Sequence, residues 1–596
     1  MNRRKLLATA AAATGAVLLG GVPTLVFAAT HKRRPGIHAK PVHPGVGADI
    51  PWTTYPSEDM KTTGTVLHPK YGPFLVEMES SNQTCVKLTA AGEYVEFKVR
   101  SAANAMVVRY SLPDSPDGDG INSTLDLYRN GSLLRQVPVT SKYAWLYGDY
   151  PFTNDPKAGK PRNFYDEVRL KGLKLRKGDV IRLQKADDGA AYCIIDLVDL
   201  ENIAPPLRRP ANSLSVSDFG ADGKGQTDDT QAVRNCIAQA ALRGKIAWVP
   251  AGEYKLTGDV VLPSEVTLQG AGMWHTTFIG DDELYVHPDR RLRFKLTGSN
   301  SHFADFALIG KLKYRNDSEQ NDGIFGAHAK NGSVSRVWVE HTKVGMWFYV
   351  CSNVVVDGCR LRNTVADGIN LCVDVRDTIV QNCTTRNTGD DCFAIWPAAS
   401  DQSFEQEAPL PGNNIFHHCT GQLPFLAQGG AIYGGANNRI EDCLFTDIGS
   451  GCGILLSTTF PTSDDSLKID NNFSGTTIVR NCDLLRCGGY DQGWTWRAAL
   501  QICMHRQSIS GLKISGVRIK DGLSDGFAVI VPPDTQGQRM LSDTRLENVD
   551  VSNYGIGTPG RHGLWVSKNA SGSLTIANSK IVDVENDSAD FIITTN

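Results

Sequence analysis

The sequence predicts an all-β protein, a right-handed parallel β-helix preceded by a β-sandwich domain, and three observations carry that prediction. Beyond residue 300 the chain repeats with a period near two dozen residues. Between about 70 and 204 it breaks into short alternating segments, and one amphipathic stretch, Gln231 to Leu242, lies between the two regions. With 596 residues and 41% hydrophobic content the chain can bury more than one core. Its 61 basic and 64 acidic residues leave a net charge of −3, which argues against a nucleic-acid partner held by a basic face.

From the N-terminus, Arg3-Arg4 followed by an Ala/Gly/Leu run and Val26-Phe27-Ala28 read as a Tat-type signal over residues 1–28, so a secreted, extracellular protein is expected. No later run approaches the 18 or more apolar residues of a spanning helix, so no membrane association is expected after cleavage. Residues 29–69, with His31-Lys32-Arg33-Arg34-Pro35, read as a linker or arm. Residues 70–204 read as the sandwich, with strands such as Tyr94 to Val99 and Ala105 to Tyr110 separated by turns such as Pro116-Asp117-Gly118. Its opening Val76-Glu77-Met78-Glu79 and closing Ile195 to Glu201 resemble carbohydrate-binding modules of families 6 and 35. That resemblance makes Glu77, Glu79 and Asp199 candidate ligands of a structural Ca2+; solvated strand-edge carboxylates are the plainer alternative.

Pro205-Pro206 marks the boundary to the β-helix, residues 205–596. Asp228 or Asp229 is placed to cap the helix that follows. The segment through Gly270-Ala271-Gly272 resembles the entry of pectate-lyase-like β-helices, which implies architecture and no activity. Then Cys359, Cys383, Cys419, Cys443 and Cys482 recur at one position of the repeat, 24 residues apart where coils are short and 36 or 39 apart where loops are inserted. Equivalent residues of successive coils stack at about 4.8 Å. The cysteines therefore read as a buried ladder of free thiols, with disulfides between coils the geometric alternative.

A second position holds Asp322, Val344, Asp367 and Asp391, spaced 22, 23 and 24 residues apart. Asp367 and Asp391 should stack as neighbours with Asp390 beside them. Three such carboxylates cannot all ionise freely, so the set should titrate as a unit with at least one raised pKa. Glycoside hydrolysis needs that combination, a carboxylic acid for the leaving oxygen and a carboxylate for water or the anomeric carbon. An Asp ladder at a turn or a calcium site is the structural alternative, and for Asp322, two coils away, it weighs as much as a substrate contact.

Asp367-Gly368-Ile369 followed one coil later by Gly389-Asp390-Asp391-Cys392 resembles the catalytic motifs of β-helical glycosidases, polygalacturonases included. With Lys142 to Gly148, Asn163 to Glu167 and Gly270 to Trp274, the chain resembles glycoside hydrolase family 87, the bacterial α-1,3-glucanases and mycodextranases, over residues 70–596. The resemblance implies an endo-acting α-1,3-glucanase that inverts configuration, with Asp390 as general acid and Asp367 and Asp391 positioning water, the acid roughly 6.5–9.5 Å from a base. Polygalacturonases add Gly-His-Gly in a following coil, where this chain reads Gly429-Gly430-Ala431-Ile432-Tyr433-Gly434; their basic uronate reader has an echo only in Arg518-Ile519-Lys520, off the catalytic strand. Trp347, Trp396 and Tyr433, together with Trp494 and Trp496, are candidates to stack on sugars, with loops 397–413 and 457–475 as cleft walls. A calcium-dependent lyase would want a basic proton abstractor, and a glycan-binding adhesin would need no crowded acids. No cofactor is implied for the chemistry, because no dinucleotide, P-loop or HExxH pattern occurs. The expected partner is an α-glucan chain, and the expected state a monomer.

Overall fold

The computed structural model describes residues 44–400, 410–491 and 495–596, so the signal read over residues 1–28 lies outside the described residues. The first domain is a two-sheet antiparallel sandwich. Alternation does the sorting: in Tyr94–Lys98 and Val180–Lys185 every second side chain turns inward, and Val95, Leu183, Leu127, Val108 and Ile195 meet in one core. The sandwich begins earlier than residue 70, since Trp52–Pro56 pairs antiparallel with Cys193–Glu201. That strand is five residues long and ends on proline, too short for its alternation to register in the sequence. Residues ahead of it run along the coil instead, where Val46 packs on Leu444 and Leu485.

The second domain is the parallel β-helix. One face is a 12-stranded parallel sheet running from Asp259–Leu262 to Val584–Asn586, and the remaining faces join in a 24-stranded parallel sheet. Inward positions stack in register, as in the column Val334, Val356, Val380, Phe416, Ile440, Val479, Ile514. All of these are essentially inaccessible. The five cysteines occupy the neighbouring column, and all 14 cysteines are buried free thiols. The helix Thr230–Leu242 closes the first coil by burying Val233, Cys236, Ile237 and Ala240. Asp228 rather than Asp229 serves its N-terminus, its carboxylate accepting from the Thr230 amide at 3.0 Å.

Sandwich and coil are joined by buried ion pairs. Arg386 bridges Glu167 and Asp199 at 2.5 and 2.9 Å, Arg360 meets Glu201 at 2.8 Å, and His341 meets Asp166 at 2.7 Å. The three carboxylates assigned to calcium are not gathered into one site. Asp199 accepts from Thr54 as well as Arg386, Glu79 accepts from the amides of Asn163 and Phe164, and Glu77 pairs with Lys70 at 3.0 Å. The three have separate partners and form no common donor set among the described residues. Of the three, Asp199 docks one domain on the other, while Glu77 and Glu79 bind partners on the sandwich side.

Candidate active site

The register sets the site. Met346 pairs with Ile369 and Ile369 with Phe393, so Val344, Asp367 and Asp391 fall in one column just before the strands of the 12-stranded sheet. The close approach of the coils requires the glycine beside each acid. A Cβ on Gly368 would lie 2.5 Å from the Cys392 carbonyl oxygen, and one on Gly389 would lie 2.3 Å from that of Val365. Asp367, Asp390 and Asp391 converge until one oxygen from each lies within 4.8 Å of the others. That is closer than the 6.5–9.5 Å expected for an inverting pair. The reason is the stack itself: neighbouring rungs inherit the strand spacing instead of facing each other across a sugar.

The three acids are held differently. Asp391 is 3% exposed, accepts from the Gln428 amide at 3.1 Å and from the Tyr433 hydroxyl at 2.8 Å. Burial, then the charges of Asp390 and Asp367, raise its pKa well above the usual carboxylate range, against those two hydrogen bonds. Asp390 is the least buried of the three and binds Arg315 at 2.6 Å. Arg315 also reaches Asp317 at 3.0 Å and the carbonyls of Val365 and Gly389, and its guanidinium lies 4.8 Å from the Tyr150 ring. Burial works against that guanidinium's charge, but Asp390 and Asp317 outweigh it and hold it as a cation.

Around the trio, the outer face of the sheet carries an apolar patch that includes Tyr349, Trp396, Tyr433 and Leu455, with Trp347 half-buried at its edge. Trp347 stands where the sequence placed it, next in register to Asn370. Trp396 is buried: Phe460 from the inserted loop packs on it at 5.7 Å, and its indole N–H donates to the Pro461 carbonyl. Tyr433 is likewise buried and serves Asp391 through its hydroxyl rather than through its ring face. Asp322 lies in the same column two coils earlier, is buried and accepts from the Lys343 amide at 2.6 Å. Trp496 stacks edge-on against Tyr490 in a hairpin; Trp494 and residues 401–409 lie outside the described residues. In that hairpin Asp491, paired with Arg497 at 2.7 Å, brings a fourth carboxylate whose charge reaches Asp390. Arg518 is committed to a buried pair with Asp483, so Arg518-Ile519-Lys520 is no uronate reader.

Sequence reasoning missed Arg315, Tyr150 and Gln428. The first two sit 75 and about 240 residues from Asp390, off every column of the repeat, and Gln428 carries no chemistry of its own. Only Gln428 had a signal: it is the residue stacked one coil above Asp391.

Residues 49–203 match the family model described as α-1,3-glucanase catalytic domain D1, and residues 227–592 match its D2. The catalytic unit of a GH87 α-1,3-glucanase from Streptomyces thermodiastaticus superimposes with a TM-score of 0.79 at 31% identity, covering 92% of this chain and 96% of that one. The Agl-KA catalytic domain does so with a TM-score of 0.82 at 25% identity, covering 93% and 99%. Among curated relatives, alginate lyase 7 of Azotobacter vinelandii is 29% identical over 146 residues, 22% of this chain and 16% of that protein. The chain spans less than a quarter of the length of the curated relatives it matches.

Proposed function

This chain belongs to the family of α-1,3-glucanase catalytic domains, GH87, and is a glycoside hydrolase; from that premise we propose that it cleaves α-1,3-glucan internally, with inversion, at Asp367, Asp390 and Asp391. The observation that carries the reading is the crowding: three carboxylates within 4.8 Å, one of them with its pKa raised well above the ordinary range. Such a set retains a proton near neutrality and still holds carboxylates able to take one from water.

In this reading Asp390, the most accessible member, donates its proton to the glycosidic oxygen as the bond to the anomeric carbon breaks. A water held by Asp367 and Asp391 attacks that carbon and gives its proton to the pair. Burial favours Asp391 as the resting proton holder, while accessibility gives Asp390 the reach to the leaving oxygen. As neighbours in one coupled set, the two act together in supplying the proton that the leaving oxygen receives. No cofactor enters these steps. A neutral glucan suits the site better than a uronate, because the Arg315 guanidinium at the trio is already committed to Asp390 and Asp317. Secretion through the twin-arginine signal fits a polymer too large to import.

The test is reducing-sugar release from insoluble α-1,3-glucan, with α-1,4-glucan, dextran, β-1,3-glucan and polygalacturonate as controls, for the native chain and Asp390→Asn. The expected result is activity confined to α-1,3 linkages, a spread of oligosaccharide products, the β-anomer formed first by proton NMR, and at least a ~100-fold loss in the variant. First formation of the α-anomer would replace inversion with retention. Activity only on polygalacturonate would overturn the substrate.

A further inference from the structure

On the 24-stranded sheet, away from the trio, strand Ile415–His417 pairs in parallel with Arg439–Glu441, setting His417 directly against Glu441. Continuing the register puts His418 opposite Asp442. Consecutive strand residues point to opposite faces, yet the rings of His417 and His418 lie 4.3 Å apart. The backbone explains it: His418 adopts the left-handed conformation (φ 48°), as do Asn382, Asp442 and Asn481 at the same corner of the flanking coils. The corner turns His418 back toward His417, and the three side chains each present a ligand atom within 4.8 Å of the others.

We propose that His417, His418 and Asp442 form a site for a borderline divalent transition cation of the Zn2+ class, which ties two successive coils together on the outer surface of the β-helix. The chemistry of the donors selects the ion, since two imidazoles and one carboxylate suit zinc and disfavour calcium or magnesium. The spacing agrees: His417 Nδ1 and Asp442 Oδ2 are 3.4 Å apart, and two ligands bound tetrahedrally at 2.0–2.1 Å stand about 3.3 Å from each other. Asp442 is also oriented for the task. Asn481 Nδ2 donates to Oδ1, which leaves Oδ2 toward the histidines. Glu441, buried beside His417, is already paired with Arg480 at 3.2 Å and Arg439 at 3.8 Å, so Asp442 is the carboxylate left to the ion. All three groups are half-buried, so an ion can enter from solvent. The site also underpins the N-terminal arm, whose Gly47 amide donates to the Asp442 carbonyl at 2.7 Å.

The experiment titrates Zn2+ into the untagged, chelator-stripped chain in competition with a chromophoric chelator, alongside thermal unfolding. One equivalent should bind, the midpoint should rise with zinc, and His418→Gln and Asp442→Asn should each weaken binding at least ~10-fold. Asp442→Asn is a safe substitution, since asparagine occupies the same left-handed corner at 382 and 481. Asp391→Asn should leave zinc affinity unchanged, and His418→Gln should leave glucan hydrolysis unchanged, which separates this site from the catalytic trio. Absence of stoichiometric binding, equal competition by Ca2+, or affinity preserved in both His418→Gln and Asp442→Asn would overturn the assignment.

Discussion

At the seam between the domains Glu167 is fully buried with Arg386 at 2.5 Å and Arg362 at 3.9 Å; on the face of the coil Asp391 is equally buried with Asp367 and Asp390 for neighbours. Burial pushes both carboxyls up. At the seam the two guanidiniums outweigh it and hold Glu167 below its ordinary value, whereas beside Asp391 the neighbouring charges add to the burial. Both groups are buried carboxyls and the outcome is opposite, so what distinguishes a functional acid from a structural one here is the sign of its neighbours. Paired, a buried carboxylate docks a domain. Crowded, it stores a proton.

Asp391→Asn tests the crowded side and should have the largest effect. Removing one of three cooperating acids should lower kcat by roughly 10³-fold, while relieving like-charge repulsion should leave the fold as stable or more so. The sign of the pH dependence follows from the shift. A pKa raised by folding contributes stability below the unfolded carboxylate range and loses it as pH rises through the folded value. The thermal midpoint of Asp391→Asn should therefore gain on the native chain as pH increases. A variant that is inactive because it is unfolded would break the comparison.

Arg386→Ala tests the paired side. It strands Glu167 and Asp199, both at most 5% exposed, without their bridging cation. Breaking such a pair costs about 3–5 kcal/mol, read as a lower denaturation midpoint, and adding Glu167→Gln should recover part of it. No recovery would mean that packing of the arginine stem, not charge, holds the seam.

The same contrast explains what the sequence could disclose. The coil was legible because its period converts sequence distance into spatial distance, so Asp367, Asp390 and Asp391 could be brought together by counting. Nothing periodic links the sandwich to the coil. Asp199 looked like a metal ligand beside Glu77 and Glu79 because the arginine that employs it lies on another domain, Arg386 being 187 residues away. Asp322 sat in the right column, but a column fixes the face of the coil on which a residue stands and not what covers it, and for the same reason the burial of Trp396 under Phe460 was invisible.

Tyr150 belongs to both regions and gives the finest test. It is a sandwich residue, yet Arg315 Nη2 donates to its hydroxyl at 3.2 Å, and that same nitrogen holds Asp390 at 2.6 Å. If the sandwich merely carried the coil, Tyr150→Phe would be silent, for the ring and its contact with the guanidinium survive. If the sandwich helps to aim Asp390, the variant loses the hydroxyl's hydrogen bonds to both Arg315 and Asp317, and the one from Arg315, worth about 0.5–1.5 kcal/mol, should lower kcat by roughly 2- to 10-fold with KM little changed. Arg315→Lys should do more, because a point charge cannot hold Asp390, Asp317 and two carbonyls at once. Loosening the cation raises the proton affinity of the coupled carboxylates, so the acidic limb of the kcat/KM profile should move to higher pH, further in Arg315→Lys than in Tyr150→Phe. A uniform loss of activity with the limb unmoved would place both residues on the structural side of the comparison, alongside Arg386.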